Sequence, residues 1–384
     1  MEKVNKIHIL SFGYGRNLFN QKNSEHNRMK QCAQFVSSLD MVIFTKASDG
    51  LQSYTIGNLT FHPTHSKTKL LYFFDAIRIG YTILRDTKKK WVITTQDPFE
   101  TGCIGLLLAW YYKQPLNVQE HGDFYSRPYW KQDRMSNWFR YYIGKFVLRN
   151  ADTIRVVSER ITTAIQKFGV QKERIYYLPV RTDVLDTEAE NGPNLKHLYP
   201  DASIIILTMA RLVTQKNLPM LINAFAHVVA TEPKAKLVIV GTGPLEHALR
   251  HDVDRNGITS HVSFLPWTDT PQSYMQSADI YALSSDWEGW GRVLIEAMHA
   301  GVSVVTTDVG CVGTVFKDNI HGLVVQPRDQ QAYTNALQKM VENQGMRETY
   351  QAHAKRDCCL HHVTMESYAE AWANIFAHTE KQAV

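Results

Sequence analysis

The chain has 384 residues, of which 44% are hydrophobic, and a formal net charge of +5. This apolar content excludes a disordered chain, and the length favours two globular domains over one. The charge is uneven, because residues 1–180 hold 26 Lys+Arg against 14 Asp+Glu (+12) and the remainder hold 16 against 23 (−7). No known nucleic-acid-binding module accompanies the basic half, so we expect no nucleic acid partner.

The first residues, MEKVNKIHILSFGYG, contain an apolar run that is too short for a signal peptide. The longest apolar stretch, GCIGLLLAWYY (102–112), is too short to cross a bilayer and predicts a core helix. Five cysteines form no cluster with metal-ligand spacing. These features favour a reduced, cytoplasmic protein.

The first half alternates predicted strands with predicted helices. Helices are expected over about Ser24 to Leu39, from Gly102, near Ser136 to Arg149 and after the fifth strand. The strands are KIHILSF, MVIFT, WVITTQ, PLNVQEH, DTIRVVS and RIYYLPV. Repeated alternation of this kind predicts a doubly wound parallel sheet.

A polar stretch, RTDVLDTEAENGPNLKHLYPD, then predicts a linker over residues 181–200. The second half restarts the alternation with SIIILTMA, a helix over Leu218 to Ala230, AKLVIVG, HVSFLP and DIYALS. We therefore predict two Rossmann-like α/β domains, at 1–180 and 201–363, that face each other across a cleft. A last helix, within 364–384, is expected to return to the first domain.

The segment from Phe124 to Arg149 combines six Lys/Arg with one acid and several aromatic residues. This composition suits the inner face of the cytoplasmic membrane, where aromatic rings lie at headgroup level and cations meet phosphates. A helix with its aromatic residues in the core explains the composition equally well. Peripheral membrane association therefore stays a hypothesis beside the structural interpretation.

The segment SDWEGWGRVLIEAMHAG (285–301) places two glutamates after a buried strand. Glu288 lies in a glycine-flanked loop, and Glu296 lies on a helix that begins near Val293 and stops at Gly301. At about 100° per residue, Glu296 lies roughly 130° from the apolar stripe, so it faces solvent or a cleft. Either glutamate alone is more simply a solvated residue. Together they suit vicinal diols, because each carboxylate accepts two hydroxyl donors.

Cationic and glycine residues follow other predicted strands. Arg211 and Lys216 lie in ARLVTQKN. The planar guanidinium of arginine and the flexible ammonium group of lysine together suit a diphosphate. Gly241 and Gly243, in GTGPLE, form a turn that a base or phosphate can approach closely. A solvated pair of cations and an ordinary turn are the structural alternatives.

In the first half, FGYGRN places Gly13 and Gly15 after the first strand. Leu18 occupies the third small position of a dinucleotide fingerprint, which argues against NAD binding. His121, in QEHGDFYS, also follows a strand, where a lone histidine is more often structural than catalytic.

These segments resemble the retaining glycosyltransferases of family 4, whose two-domain fold is named GT-B. The second half follows the family's second domain in order through ARLVTQKNLPMLINAF, LVIVGTGPLEHALR, ADIYALSSDWEGWGRVLIEAMHAGVSVVTTDVG and HGLVVQPRD. The first half matches through ADTIRVVSERI and the His121 loop. The resemblance implies transfer of a sugar from a nucleotide-diphosphate sugar, with UDP- and GDP-sugars expected first. The implied acceptor is a saccharide or a lipid-linked sugar of surface polysaccharide or glycolipid synthesis, and no metal or other cofactor is implied.

The resemblance also implies roles for individual residues. Glu296 would hold the donor ribose, Arg211 and Lys216 the diphosphate, and Glu288 the transferred sugar. His121 would lie near the reacting face of that sugar, and the loop from Gly13 to Gly15 would cover the phosphates. The catalytic set is His121, Glu288, Lys216 and Arg211, and the remaining donor-binding candidates are Gly241, Gly243, Leu265, Trp267, Gly289, Trp290, Gly291 and Arg292.

Three other functions stay open. A nucleotide-sugar 2-epimerase of the same fold would release an altered sugar without an acceptor, although the two-glutamate segment disfavours it. A degenerate, non-catalytic sugar-nucleotide-binding subunit is disfavoured by the presence of every principal donor residue. A dehydrogenase is disfavoured by the missing glycine fingerprint.

Overall fold

A computed structural model of the chain describes residues 7–86, 88–182, 192–268, 270–358 and 363–382. The chain divides into two compact units. The first unit contains the described residues up to Arg181 together with those from Val363 onward, and the second unit contains the residues between them. Each unit is an α/β domain built on a largely parallel sheet, in agreement with the predicted fold class.

The first unit contains an eight-stranded sheet. Its strands are β1 (His8–Gly13), β2 (Ser38–Ile43), β3 (Tyr54–Ile56), β4 (Leu59–Pro63), β5 (Trp91–Thr95), β6 (Leu116–Glu120), β7 (Thr153–Val156) and β8 (Ile175–Tyr177). They lie in the order β3-β4-β2-β1-β5-β6-β7-β8, and only the β3–β4 pair is antiparallel. Its helices up to β8 are α1 (Ser24–Ala33), α2 (Tyr72–Leu84), α3 (Glu100–Tyr112), α4 (Tyr129–Asp133), α5 (Met135–Asn150) and α6 (Glu159–Gln166).

The second unit contains a six-stranded parallel sheet. Its strands are β9 (Ile204–Met209), β10 (Ala235–Val240), β11 (Val262–Leu265), β12 (Ile280–Leu283), β13 (Ser303–Thr307) and β14 (Gly322–Val325), in the order β11-β10-β9-β12-β13-β14. Its helices are α7 (Leu195–Leu198), α8 (Leu218–Thr231), α9 (Glu246–Arg255), α10 (Pro271–Ser277), α11 (Arg292–Ala300), α12 (Gln330–Glu342) and α13 (Gln344–Cys358). One large apolar cluster joins α8, α9 and α12 to the sheet.

The last helix, α14 (Met365–Gln382), packs in the first unit. Trp372 and Phe376 are buried in the same apolar cluster as Ile9 of β1. Polar contacts add to this packing, since the Arg155 guanidinium donates to the Tyr368 hydroxyl at 2.8 Å. The C-terminal segment is therefore part of the core of the first unit.

Several elements differ from the sequence prediction. The helix expected over Ser24 to Leu39 ends at Ala33, and β2 begins at Ser38. Phe35, Val36 and Leu39 have helical spacing, but the backbone of β2 pairs with β1 on one side and β4 on the other, and this sheet pairing prevails. The elements β3, β4 and α2 were not predicted from the sequence.

Two further expectations were wrong in part. The helix at 102–112 is not a core helix throughout, because Leu107, Trp110 and Tyr111 of α3 are exposed. Within the expected linker, residues 183–191 lie outside the described residues, whereas Leu195 begins the short helix α7 and is fully buried. Of the helices that the structure describes, none is long and apolar enough to cross a bilayer.

Candidate functional site

The strand order of the second unit defines the position of its candidate site. The chain runs outward from β9 to β10 and β11 on one side, and from β12 to β13 and β14 on the other. The direction of winding therefore reverses between the neighbouring strands β9 and β12. In open parallel sheets, ligands bind outside the carboxyl ends of the strands at such a reversal. Arg211 and Lys216 follow β9, and Glu288 follows β12, so all three lie at this edge.

Hydrogen bonds join the two loops that flank the reversal. The Gln215 side chain donates to the Trp287 carbonyl at 2.7 Å, and the Asp286 amide donates to the Gln215 carbonyl at 2.8 Å. The Ser284 hydroxyl donates to the Lys216 carbonyl at 2.8 Å. The loops therefore form one connected surface, although they are about 70 residues apart in sequence.

Lys216 and Glu288 form an ion pair at the centre of this surface. Lys216 Nζ lies 2.5 Å from Glu288 Oε1, and the side chains of both residues are largely buried. The same carboxylate oxygen accepts from the Ser285 hydroxyl at 2.7 Å. An ammonium group has three protons, so Lys216 retains donors for a ligand while Glu288 fixes its position.

Arg211 has a different environment. Its side chain is exposed, and within the described residues it has no hydrogen bond or ion pair. A guanidinium that is free of protein partners can bind an anion without first breaking an internal contact. Of the two cations of the predicted diphosphate site, Lys216 is held by Glu288 and Arg211 has no partner among the described residues.

Gly241 and Gly243 lie against the backbone of the loop after β9. A Cβ atom on Gly241 would lie 2.0 Å from the Ala210 carbonyl oxygen, and one on Gly243 would lie 2.4 Å from that of Leu212. Gly241 also has a φ of +144°, a conformation that side chains disfavour. These two glycines let one loop pack closely on another.

Helix α11 begins at the same edge. Gly291, at a φ of +73°, precedes Arg292, and Gly301 ends the helix at a φ of +67°, as the sequence predicted. Helix N-termini carry partial positive charge, which favours anionic ligands. This helix start therefore adds to the positive potential near Lys216.

Glu296 occupies an intermediate position on α11. Its side chain is 24% exposed and lies 3.6 Å from Arg292, one turn earlier. Burial raises the pKa of Glu296, and the Arg292 guanidinium opposes that shift. The expectation of a glutamate outside the core is confirmed, because Leu294, Ala297 and Met298 form the buried stripe.

The remaining donor-binding candidates of the second unit differ in exposure. Trp290 and Gly289 are buried in the loop after β12, and the Trp290 carbonyl accepts from the Cys311 amide at 2.8 Å. Trp267 is 56% exposed after β11, the outermost strand of the sheet. Leu265 is half-buried, and its carbonyl accepts from the Gly241 amide at 2.9 Å.

The other candidates lie in the first unit. Gly13 ends β1 and Gly15 follows it at a φ of +119°. His121 follows β6 and its ring contacts the Gln119 side chain at 3.2 Å. Burial, and then the nearby Arg155 and Arg28 cations, lowers the pKa of His121 to about 3, so its ring is neutral at neutral pH.

One buried network beside Lys216 was not predicted from the sequence. Asp286, 3% exposed, accepts from the Asn217 side chain at 2.8 Å and from Arg328 Nε at 2.7 Å. Asn217 precedes α8 with a φ of 43°, so this network fixes the backbone next to Lys216. The sequence signal for this network is the aspartate in SDWEG, which lies in a loop between a predicted strand and a predicted helix.

The chain matches two family models. Residues 195–357 match the family model "Glycosyl transferases group 1", and residues 33–183 match "Glycosyltransferase Family 4". An uncharacterized glycosyltransferase of Methanocaldococcus jannaschii is 31% identical over 47% of this chain and 44% of its own length.

Two further relatives have more specific names. An N-acetylgalactosaminyltransferase of Campylobacter jejuni, named for a diphospho-undecaprenol acceptor, is 28% identical over 58% of this chain and 60% of its own length. The capsular polysaccharide biosynthesis glycosyltransferase CapM of Staphylococcus aureus is 23% identical over 84% and 86%. Apart from CapM, the chain spans less than two thirds of the length of the first curated relatives that it matches.

Solved structures share the fold over nearly the whole chain. Sucrose-phosphate synthase from Thermosynechococcus elongatus superimposes with a TM-score of 0.79 at 17% identity and covers 97% of this chain and 98% of that one. HepE of Anabaena, solved in complex with UDP and glucose, gives a TM-score of 0.72 at 16% identity and covers 96% and 99%. At these identities the likeness establishes the fold.

Proposed function

Because the chain belongs to glycosyltransferase family 4 and has the GT-B fold, we propose that it is a retaining hexosyltransferase that uses a nucleotide-diphosphate sugar. The observation that carries this proposal is the group of Arg211, Lys216 and Glu288 at the carboxyl edge of the second sheet. UDP- and GDP-sugars are the proposed donors, and UDP is favoured because HepE was solved with it.

The charges of this edge suit a diphosphate. Arg211 offers a free planar fork, Lys216 keeps donors beyond its bond to Glu288, and α11 presents its positive end. Preorganised positive charge stabilises the negative charge that develops on a departing diphosphate. We propose that these groups act without a metal ion, so a chelator should leave turnover unchanged.

The two glutamates bind hydroxyl groups in this proposal. Glu296 is bonded only loosely to Arg292, at 3.6 Å, and can accept from the ribose hydroxyls. Glu288 keeps one oxygen with only a 3.5 Å contact, from Gln215, and that oxygen is available to the transferred sugar. The one N–H of neutral His121 is directed at Gln119 Oε1, so its other ring nitrogen would accept a hydrogen bond from a sugar hydroxyl without adding charge.

The bond changes follow from retention. The bond between the anomeric carbon and the phosphate oxygen breaks, and the acceptor oxygen bonds to the same face of that carbon. The acceptor proton passes to the departing phosphate oxygen. No protein side chain forms a covalent bond in this scheme.

The acceptor is proposed from relatives. CapM is named for capsular polysaccharide, and the Campylobacter enzyme is named for a lipid-linked diphospho-undecaprenol acceptor. We propose that this chain likewise extends a saccharide or lipid-linked saccharide in surface polysaccharide or glycolipid synthesis.

The test is incubation of the purified protein with UDP-, GDP- and ADP-sugars and lipid-linked acceptors. We expect a thermal shift with one donor class, nucleotide release that requires an acceptor, and a product whose anomeric configuration matches the donor by NMR. Glu288→Gln and Lys216→Ala should cut turnover strongly in folded protein. Near wild-type transfer by both variants would refute the assigned roles, and an inverted product would refute retention.

A further inference from the structure

Helix α5 presents an apolar stripe to solvent. Its members recur at helical spacing and are between 41% and 85% exposed: Met135, Trp138, Phe139, Tyr142, Ile143 and Phe146. The opposite side of α5 is buried through Gly144, Val147 and Leu148. An amphipathic helix in a globular domain normally buries its apolar stripe, so this helix has a second, uncovered apolar side.

The exposed stripe continues on two neighbouring helices. Helix α3 contacts both α5 and α2. The rings of Trp110 and Phe146 lie 6.1 Å apart, as do those of Tyr81 and Tyr111. With exposed Leu107, these side chains extend the stripe of α5 into a surface that we call the aromatic face. An apolar surface that spans three helices indicates a binding site.

The charges around the aromatic face are mainly positive. The sequence of α5 contains no acid, and exposed Arg134 and Arg149 lie near its two ends, although Asp133 lies 3.9 Å from the Arg134 guanidinium. Exposed Lys113 follows α3 directly. The one acid of α3, Glu100, is neutralised by Arg140 at 2.6 Å. The aromatic face therefore complements an anionic surface.

Some residues of the basic aromatic segment do not belong to this face. Trp130 is buried, where its ring stacks on Phe99, and Arg140 is held by Glu100 over the same Phe99 ring. The structural interpretation of this segment is therefore confirmed for Trp130 and Arg140, and the membrane interpretation concerns only the exposed residues.

We propose that the aromatic face docks on the headgroup region of a bilayer that contains anionic lipid. Trp and Tyr rings favour the boundary between hydrocarbon and water, and Arg and Lys at its border bind lipid phosphates. A second copy of the chain is a poorer occupant, because a twofold interface would bring the same cations together without acids on α5 to balance them. This inference adds a location to the proposed function, since a lipid-linked acceptor lies at such a surface.

The test is co-sedimentation of the full chain with phosphatidylcholine vesicles, with and without phosphatidylglycerol. We expect binding only to the anionic vesicles. The combined variant Trp138→Ser, Phe139→Ser and Phe146→Ser should lower the partition coefficient about tenfold or more, because burial of large apolar groups drives interfacial binding. A matched control replaces three exposed apolar residues elsewhere, Tyr177, Leu198 and Ile320, by Ser and should leave binding unchanged.

A second pair of variants tests the charge. Arg134→Gln with Arg149→Gln should weaken binding about tenfold at low salt, and the deficit should shrink as salt screens the attraction. Lys22→Gln with Lys234→Gln removes the same charge at exposed sites outside the aromatic face and should have little effect.

Three outcomes would overturn the inference. The first is wild-type protein that does not bind anionic vesicles, and the second is a triple variant that binds them as wild type does. The third is a wild-type protein that forms a dimer and binds no vesicles, with a triple variant that is monomeric. The donor-induced thermal shift is measured on the same samples. Its absence would count against the proposed function alone, because vesicle binding does not require the donor.

Discussion

The two units place ionisable groups at the carboxyl ends of parallel strands in opposite ways. In the second unit two buried acids are paired with cations, Glu288 with Lys216 and Asp286 with Arg328. In the first unit the corresponding edge holds buried acids, and Glu120 Oε2 has no hydrogen-bond partner in the part of the chain that the structure describes. Burial raises the pKa of Asp97 to about 6 and that of Glu120 well above its usual range.

The same type of sheet edge can therefore suit two kinds of ligand. An ion pair holds its cation in a fixed position, where the cation can meet a charged diphosphate. Groups that burial drives toward their neutral forms, such as Glu120 and His121, offer hydrogen bonds without net charge, which suits an uncharged hydroxyl.

Lys216→Ala should lower turnover by about a hundredfold to a thousandfold, because it removes preorganised positive charge and leaves buried Glu288 without its cation. Initial rates with the preferred donor measure the effect. Lys234→Ala, an exposed lysine of the same unit, is the control and should retain wild-type rates. Equal losses in both variants would show that general charge, and not this position, supports turnover.

Gly241→Ala should destabilise the second unit by about 2–4 kcal/mol, because the added Cβ overlaps the Ala210 carbonyl and the backbone φ is +144°. Urea unfolding measures the loss. Gly257→Ala is matched in positive φ (+68°) but meets nothing within 4 Å, so about 1 kcal/mol is expected there. Similar losses at both positions would mean that the two loops do not pack closely.

Asp97→Asn should remove a pH dependence of stability from the first unit. Because the pKa of Asp97 rises from 3.8 to about 6 on folding, its contribution is present at low pH and is lost as pH rises through about 6. The loss of folding free energy should be on the order of 3 kcal/mol in the wild type and absent from the variant. Urea midpoints measured from acidic to neutral pH check this.

Asp49→Asn should change the pH dependence of stability in the opposite direction. A hydrogen bond from the Lys46 amide, with help from Arg16, lowers the pKa of Asp49, so its contribution is lost as pH falls. If both variants changed the pH profile in the same direction, the assignment of the shift to Asp97 would be wrong.

Arg211→Ala should change the free energy of unfolding by less than about 0.5 kcal/mol, because its side chain is exposed and has no partner among the described residues. Donor affinity, measured by thermal shift or calorimetry, should still fall about tenfold. A large stability loss would show that Arg211, like Lys216, is held by internal contacts.

Elements that depend on the pattern of neighbouring residues could be predicted from the sequence alone. Apolar spacing placed α8 and α11 to within a residue or two, and the loops after the predicted strands held Arg211, Lys216 and Glu288 at one edge. Helical periodicity and strand-end loops are properties of neighbouring residues, so they can be read without the fold. Glu296 was placed outside the buried stripe for the same reason.

Which groups are in contact and which helix faces are buried depends on the tertiary structure. The bond between Lys216 and Glu288 joins residues 72 positions apart, and β2 formed where helical spacing continued because β1 and β4 supplied its hydrogen bonds. The periodicity of α5 shows that Trp138, Tyr142 and Phe146 share a side, but not that this side is exposed. Burial depends on what packs against a surface, and a chain's local pattern does not contain that information.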